Sequence, residues 1–317
     1  MSNNTKEWFI FTGSGKKSNK QIDFPKAPPW RQKNSKKIYI PTQDSQELEV
    51  INASIYLKRP LLITGKPGLG KSSLAYAIAD ELGLELVKWE IGTKTTLNDG
   101  LYMYDAIARL QDVSLKGRDK IDISKYLYLG PLGYAFSATE KPVVLLIDEI
   151  DKSDIDLPND LLHIFEEMEF TIKELERLEE NSINIYPSHK RDKTIPIKNG
   201  KVSLKDSKNF PIIIMTSNDE REFPPAFLRR CLRLDIQKPD KERLIDIISK
   251  HLNKTTQEIK DNKEANTILE EFLKLRDIDN KTISTDQLLN AMHLLFNNSI
   301  NVSEYPNLQT ILLKALE

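Results

Sequence analysis

Eight consecutive residues carry the sharpest chemistry in the sequence: Gly65-Lys66-Pro67-Gly68-Leu69-Gly70-Lys71-Ser72. They fit the pattern G-x-x-x-x-G-K-[ST] at every fixed position. Glycines there let the backbone fold so that successive N–H groups point at phosphate oxygens. A helix starting at the loop adds the partial positive charge of its N-terminus. Lys71 would reach the β- and γ-phosphates of a nucleotide and Ser72 would ligate Mg²⁺, the cradle extending to Ser73. The plainer alternative is a glycine-rich turn with an exposed lysine. The aliphatic run before the loop and the helical pattern after it count against that alternative.

Three further groups could act on what the loop holds. Val143-Val144-Leu145-Leu146-Ile147 ends in Asp148-Glu149, so a buried strand would deliver two carboxylates at its C-terminal end, where open α/β sheets bind ligands. Asp148 would hold Mg²⁺ through water and Glu149 would orient and polarise an attacking water. Ile212-Ile213-Ile214-Met215-Thr216-Ser217-Asn218 repeats the arrangement. Asn218 could bond the γ-phosphate or the attacking water, or serve as an ordinary turn residue. Arg229 and Arg230 follow Pro224-Pro225-Ala226-Phe227-Leu228. They could reach a neighbouring subunit's nucleotide or make a surface salt bridge.

These residues need a scaffold of strands and helices. Asp44 three residues before Glu47 reads as a helix start running to about Leu57. Residues 61–64 then read as a buried strand, 72–82 as a helix and 84–91 as an alternating strand. Residues 93–122, with Tyr102, Tyr104, Ile107 and Leu110, suggest amphipathic helical pieces. Residues 143–147 and 212–216 read as buried parallel strands. Pro158 opens a helix with Leu161, Leu162, Ile164 and Phe165 on its apolar side. Residues 171–208 look like a polar insertion. Its Lys190, Arg191, Lys193, Lys198, Lys201, Lys205 and Lys208 could grip nucleic acid, but Glu174, Glu176, Glu179 and Glu180 favour a solvated hairpin. After Pro239 four helix-period stretches follow, 240–252, 265–275, 284–297 and 307–316. Thr255 with Glu258 and Ser284 with Gln287 form capping boxes. The expected fold class is α/β: a P-loop NTPase αβα sandwich on a parallel sheet, followed by a small helical domain, which the family resemblance given below implies is a lid. The expected divisions are 1–40, an extended arm anchored by Trp8, Phe9 and Trp30; 41–238, the core; and 239–317, the lid.

Bulk composition excludes more than it proposes. Forty-six Lys and Arg against 47 Asp and Glu leave a net charge of −1, which gives no argument for nucleic acid or an anionic membrane. Cys231 is the single cysteine, so no internal disulfide can form, as fits a reducing cytoplasm. No apolar run approaches the roughly 20 residues a spanning helix needs, and residues 1–30 do not read as a signal peptide. The four histidines show no metal-ligand spacing. His163, among apolar neighbours, suits a structural role, and Trp89 suits packing. The guanine-reading N-K-x-D pattern is absent, since Asn280-Lys281 is followed by Thr282-Ile283, leaving ATP as the expected nucleotide.

The order and spacing of these motifs resemble AAA+ ATPases. More narrowly, the chain resembles the MoxR-like AAA+ ATPases of bacteria over about residues 40–300. The resemblance lies in the approach from Leu57 to Gly68, the Gly130-Pro131-Leu132 turn, the stretch Asp148-Glu149-Ile150-Asp151-Lys152-Ser153-Asp154 and the stretch from Thr216 to Cys231. It implies that Asn218 is sensor 1 and Arg230 the arginine finger, with Arg229 the alternative. It places sensor 2 near residues 281–286, where Lys281 is the nearest cation in place of the usual arginine, and lysine lacks arginine's two-pronged contact. It also implies insertions at 92–125 and 171–208, ATP between core and lid, a ring such as a hexamer, and a protein client or a von Willebrand A-type partner.

The reading is therefore Mg–ATP binding and hydrolysis by an oligomer that remodels a partner protein. Two competitors differ in class: a nucleic-acid-linked ATPase of a bacterial defence system, and a nucleotide-gated scaffold with negligible hydrolysis. Glu149 argues against the second.

Overall fold

Three uninterrupted aliphatic runs dictate the centre of the fold. In the computed structural model, which describes residues 10–11, 15, 24–32, 35–42, 45–116, 122–138, 140–176, 182–279, 281 and 283–296, each run is a strand buried on both faces. The chain divides into two compact units. One comprises Pro41–Lys66 and Gly70–Gln237; the other comprises Met1–Ile40, Pro67–Leu69 and Lys238–Glu317.

The larger unit runs α1 Ser45–Leu57, β1 Leu61–Thr64, α2 Lys71–Leu82, β2 Leu86–Glu90, α3 Leu97–Leu101, β3 Tyr102–Tyr104, α4 Ala106–Lys116, β4 Leu127–Leu129 and α5 Pro131–Phe136. It continues with β5 Val144–Asp148, α6 Leu157–Glu167, β6 Glu169–Thr171, β7 Ser182–Pro187, β8 Ile195–Lys198, β9 Lys201–Ser203, β10 Ile212–Thr216, α7 Pro225–Arg230 and β11 Leu232–Asp235. Five strands form one sheet in the order β11-β1-β10-β5-β2, and every pairing in it is parallel. Parallel strands covered on both faces need apolar side chains throughout, and Leu61, Leu146 and Ile214 are fully buried. The α/β architecture is the expected one. All strands point the same way, so the segments after β1, β5 and β10 emerge together at the C-terminal edge, the edge at which open α/β sheets hold ligands.

The second sheet departs from the sequence reading. Its order is β3-β4-β7-β8-β9-β6, built from segments expected to be helical pieces and a solvated hairpin. Tyr102 and Tyr104 lie in a strand, while Ile107 and Leu110 on α4 are 71% and 67% exposed. Along β7, burial alternates strictly: Ile183 and Ile185 enter the main core with Ile197 and Val202. A short period-2 signal was hidden inside a stretch dominated by lysine and glutamate. Three of this segment's cations are in ion pairs: Lys201 with Glu169 at 2.6 Å, Lys208 with Asp206 at 3.1 Å, and Lys190 with Glu85 at 3.4 Å.

Other expectations concern single residues. Glu47 bonds Thr42, whose N–H and hydroxyl each donate to Glu47 Oε2 at 2.7 Å; Asp44 lies outside the described residues. His163 is exposed on α6. Trp89 is core, 5% exposed. Gly133 is required by sterics: a Cβ there would stand 2.0 Å from the Leu101 carbonyl oxygen, so α5 meets the end of α3 backbone to side-chain-free backbone.

The smaller unit contains α8 Lys241–Leu252, α9 Thr256–Asp261, α10 Lys263–Leu273 and α11 Thr285–Phe296. Leu244, Ile248, Leu269, Phe272, Leu288 and Met292 form its core. The Thr255–Glu258 capping box is present at α9. Arg243 on α8 donates to the Ile40 carbonyl from Nε at 2.9 Å and Nη2 at 2.6 Å, which fastens the N-terminal segment to this unit. Trp30 packs on the same core. The expected anchors Trp8 and Phe9, and the helix at 307–316, lie outside the described residues. Among the described residues no helix is long and apolar enough to cross a membrane.

The Trp30 ring stands edge-on between His251 and His293, at centroid distances of 5.8 and 5.3 Å. Burial holds both imidazoles below the ordinary histidine value; at His251 Lys37 adds to the effect and Asp286 opposes it. A base whose pKa is depressed by folding binds fewer protons folded than unfolded. Its contribution is complete above the unfolded value and is lost as pH falls below it. The urea midpoint of this unit, followed by tryptophan fluorescence, is expected to fall as pH drops below about 6.5.

Candidate functional site

The loop joining β1 to α2 holds its glycines in conformations closed to other residues. Gly65, Gly68 and Gly70 have φ of 138°, 80° and 84°, a region that strains any side chain with a Cβ. Gly70 sits at the N-cap of α2 with no capping side chain, so the first N–H groups of the helix are left for a ligand.

Lys71 opens α2 and is 7% exposed. Its ammonium donates to the carbonyls of Gly65 at 2.6 Å and Lys66 at 2.9 Å, and to Asn218 Oδ1 at 2.7 Å. All three of its donors are engaged. Burial lowers its pKa from the ordinary lysine value, opposed by the carboxylates of Asp151, Asp219, Asp148 and Glu149. A phosphate oxygen arriving at the loop would take over one or more of these bonds.

Asp148 ends β5. Its Oδ1 accepts from Ser72 Oγ and from Thr216 Oγ1, each at 2.7 Å. Its Oδ2 faces Lys88 Nζ on β2 at 3.0 Å. Burial would raise the Asp148 pKa, but these hydrogen bonds and the Lys88 charge outweigh it and hold the carboxyl below the usual range. Lys88 in turn is held above the ordinary lysine value by Glu90 and Asp148, against the effect of burial.

Glu149 leaves the strand in the left-handed region, φ 62° and ψ 49°, a strained conformation for a glutamate. Its N–H donates to Thr216 Oγ1 at 2.9 Å, and its carboxylate pairs with Lys152 at 2.7 Å. The turn swings the side chain off the strand axis, which leaves it 44% exposed.

The structure thus gathers Gly65, Lys66, Lys71, Ser72, Asp148, Glu149 and Asn218 into one bonded cluster. Pro67, Gly68 and Leu69 complete the loop, and Ser73 continues α2. Arg229 and Arg230 end α7 elsewhere. Arg230 Nε donates to Glu166 Oε1 on α6, and Arg59 caps the helix by donating to the carbonyls of Arg229 and, at 3.1 Å, Arg230. The surface pairing is therefore what the single chain displays. Lys281 belongs to the smaller unit, where it is exposed. A cavity of about 820 Å³, lined by Thr64, Asp219, Arg221, Arg233 and Asp235 among others, shares the turn after β10 but none of Lys71, Ser72, Asp148 or Glu149.

Sequence reasoning missed four residues here. Thr216 is the hinge of the hydrogen bonds linking β10 to β5; its only signal was a hydroxyl closing an aliphatic run. Lys88 was visible as an outward position on an alternating strand. Asp151 and Arg59 lay inside stretches of family resemblance, with nothing in their residue types to single them out. Cys231 is buried, and burial pushes its thiol up to about 12, Arg59 opposing. It offers no nucleophile at neutral pH.

The donor set matches Mg²⁺ with a nucleotide. Hydroxyl and carboxylate oxygens suit a hard cation, and Mg²⁺ is usually held by one or two protein oxygens plus phosphates rather than by a protein cage. Among the described residues no group of three or more His, Cys, Asp or Glu could hold a metal ion by itself.

A protein-family model described as "ATPase family associated with various cellular activities (AAA)" matches residues 61–239. No curated protein matches the chain. Among solved structures, a candidate ATPase from Cytophaga hutchinsonii is similar over 79% of this chain and 68% of that one, at 14% identity and a TM-score of 0.40.

Proposed function

The chain belongs to the AAA family of ATPases, and we propose that it binds Mg–ATP at the loop 65–73 and hydrolyses it in a ring of copies to remodel a partner protein. The observation that carries the hydrolysis is the single cluster joining the phosphate loop, the Asp148–Glu149 pair and Asn218. The narrower MoxR-like assignment, the client and the von Willebrand A-type partner rest on the sequence resemblance.

Each residue's part follows from its place. The loop N–H groups and the start of α2 bind phosphate oxygens. Lys71 exchanges its bonds to the loop carbonyls and Asn218 for the β- and γ-phosphates. Ser72 and Asp148 are the groups that would hold Mg²⁺, Ser72 directly and Asp148 through water. Mg²⁺ held by these residues would supply neutralisation of the negative charge on the phosphates. Glu149 exchanges Lys152 for the attacking water and accepts its proton, and Asn218, released by Lys71, orients that water or the γ-phosphate. Arg230, leaving Glu166, would complete the site of an adjacent copy, with Arg229 as the second candidate. Lys281 is the proposed sensor-2 cation. The single buried Cys231 suits a reducing compartment.

With Mg–ATP the protein is expected to release phosphate, and chelating the divalent cation with EDTA should reduce that release to background. Light scattering should report a larger species with ATP than without it. A monomer that hydrolyses ATP at full rate would exclude the ring; an ATP-bound assembly releasing no phosphate would favour the nucleotide-gated scaffold. Ion pairs at Lys190, Lys201 and Lys208 reduce the charge that the 182–208 segment would offer the nucleic-acid alternative.

A further inference from the structure

Asp151 lies three residues beyond the Asp148 carboxylate, in a single 3-10 turn after β5. It is 4% exposed, although nothing in its position in the sequence demands a buried charge. Its Oδ2 accepts from the backbone N–H of Asn218 at 2.7 Å and of Glu220 at 3.3 Å. Its Oδ1 is buried with no hydrogen-bond partner. Arg221 binds the same turn from its other side, donating to the carbonyl of Asp151 at 3.0 Å and to that of Ser153. Between these anchors Asp219 is held at φ 60°, a left-handed conformation that costs free energy unless its surroundings impose it.

We infer that Asp151 is a positioning residue: its single acceptor oxygen fixes the Asn218–Glu220 backbone, and so sets where the Asn218 amide points. The turn after β10 has no regular ladder to hold it; the N–H of Asn218 finds its acceptor on the segment after β5 instead. Any shift of the Glu149 segment on nucleotide binding would be carried to Asn218 through this carboxylate, so the two polar groups on either side of the attacking water move together. This rests on the hydrolysis proposed above.

Both N–H groups bond the same oxygen, so a carboxamide of equal size carries the acceptor the turn needs, without the charge. Asp151→Ala removes the acceptor. In Asp151→Ala, kcat is expected to fall about ten- to hundredfold, the cost of leaving the two backbone donors without their acceptor, with KM for ATP within about threefold of wild type. Asp151→Asn should recover turnover to within about threefold of wild type. Asp151→Ala in an Asn218→Ala background should slow turnover little beyond Asn218→Ala alone, because the two act on one step. Amide hydrogen exchange over 217–221 reads the placement without turnover: protection should be lost in Asp151→Ala, kept in Asp151→Asn, and unchanged in the rest of the sheet.

If Asp151→Asn is as impaired as Asp151→Ala in turnover and exchange, the charge and not the acceptor matters, and the inference is wrong. It is equally wrong if Asp151→Ala leaves exchange over 217–221 unaltered, or if its effect simply adds to that of Asn218→Ala. Should Asp151→Ala fail to fold, Asp151→Asn against Asp151→Leu in the same exchange experiment decides. A wild-type protein without turnover would refute the hydrolysis while the exchange pattern still judged the placement.

Discussion

Arg230→Ala is expected to lower ATP turnover by about 10³- to 10⁵-fold, the range for losing an arginine finger, while nucleotide affinity stays within about threefold. The side chain is 48% exposed at the end of α7, and within its own chain it bonds Glu166 and the Ala226 carbonyl rather than the phosphate loop. Removing it should therefore leave the loop, Lys71 and Asp148 intact. The helix end that carries it is capped by Arg59, whose guanidinium satisfies the final carbonyls of α7, groups a helix end otherwise leaves unpaired. Arg229→Ala should have the smaller effect, and Arg230→Lys should not restore activity, because a point charge lacks the guanidinium fork. Steady-state phosphate release and the affinity for a fluorescent ATP analogue separate the outcomes. Undiminished turnover in Arg230→Ala would leave the arginine as the Glu166 partner it is in the single chain.

Glu149→Gln should slow hydrolysis by about 10²- to 10⁴-fold, the usual value of a positioned base, with ATP affinity preserved. The substitution keeps the shape and removes only the capacity to take a proton. Its backbone N–H would still bond Thr216, so the left-handed turn that aims the side chain should survive. The pairing with Lys152 would weaken, freeing the side chain rather than the fold. Bound nucleotide recovered from this variant should be ATP, and light scattering should show whether the ATP state is the assembled one. Loss of ATP binding instead would mean that the carboxylate supports the loop and is not the base.

How much of this was legible depended on the length scale of the signal. Long aliphatic runs announced β1, β5 and β10, since a strand buried on both faces leaves its composition no freedom. The phosphate loop was equally plain, because positive φ at Gly68 and Gly70 is a backbone demand that only particular residues meet. The second sheet was not legible. Ile183 and Ile185 alternate over a few positions inside a lysine-rich segment, and their partners on β8 and β9 are set by tertiary pairing rather than by local pattern. Asp151 and Arg59 were missed for a related reason: each acts on backbone atoms far away in sequence, Asp151 on Asn218 and Arg59 on the end of α7, and backbone acceptors and donors leave no trace in residue types.

A site completed by a neighbour makes a prediction no single variant can test. On the proposed mechanism, Arg230→Ala keeps Glu149 but offers no finger, and Glu149→Gln keeps the finger but has no base. Co-assembling the two inactive proteins and measuring phosphate release is the most direct measurement. If Arg230 acts across the interface, mixed assemblies contain sites with both groups, and the mixture should regain turnover that neither protein has alone. A mixture that co-assembles, as light scattering would verify, yet stays as inactive as its components would contradict a site shared between copies.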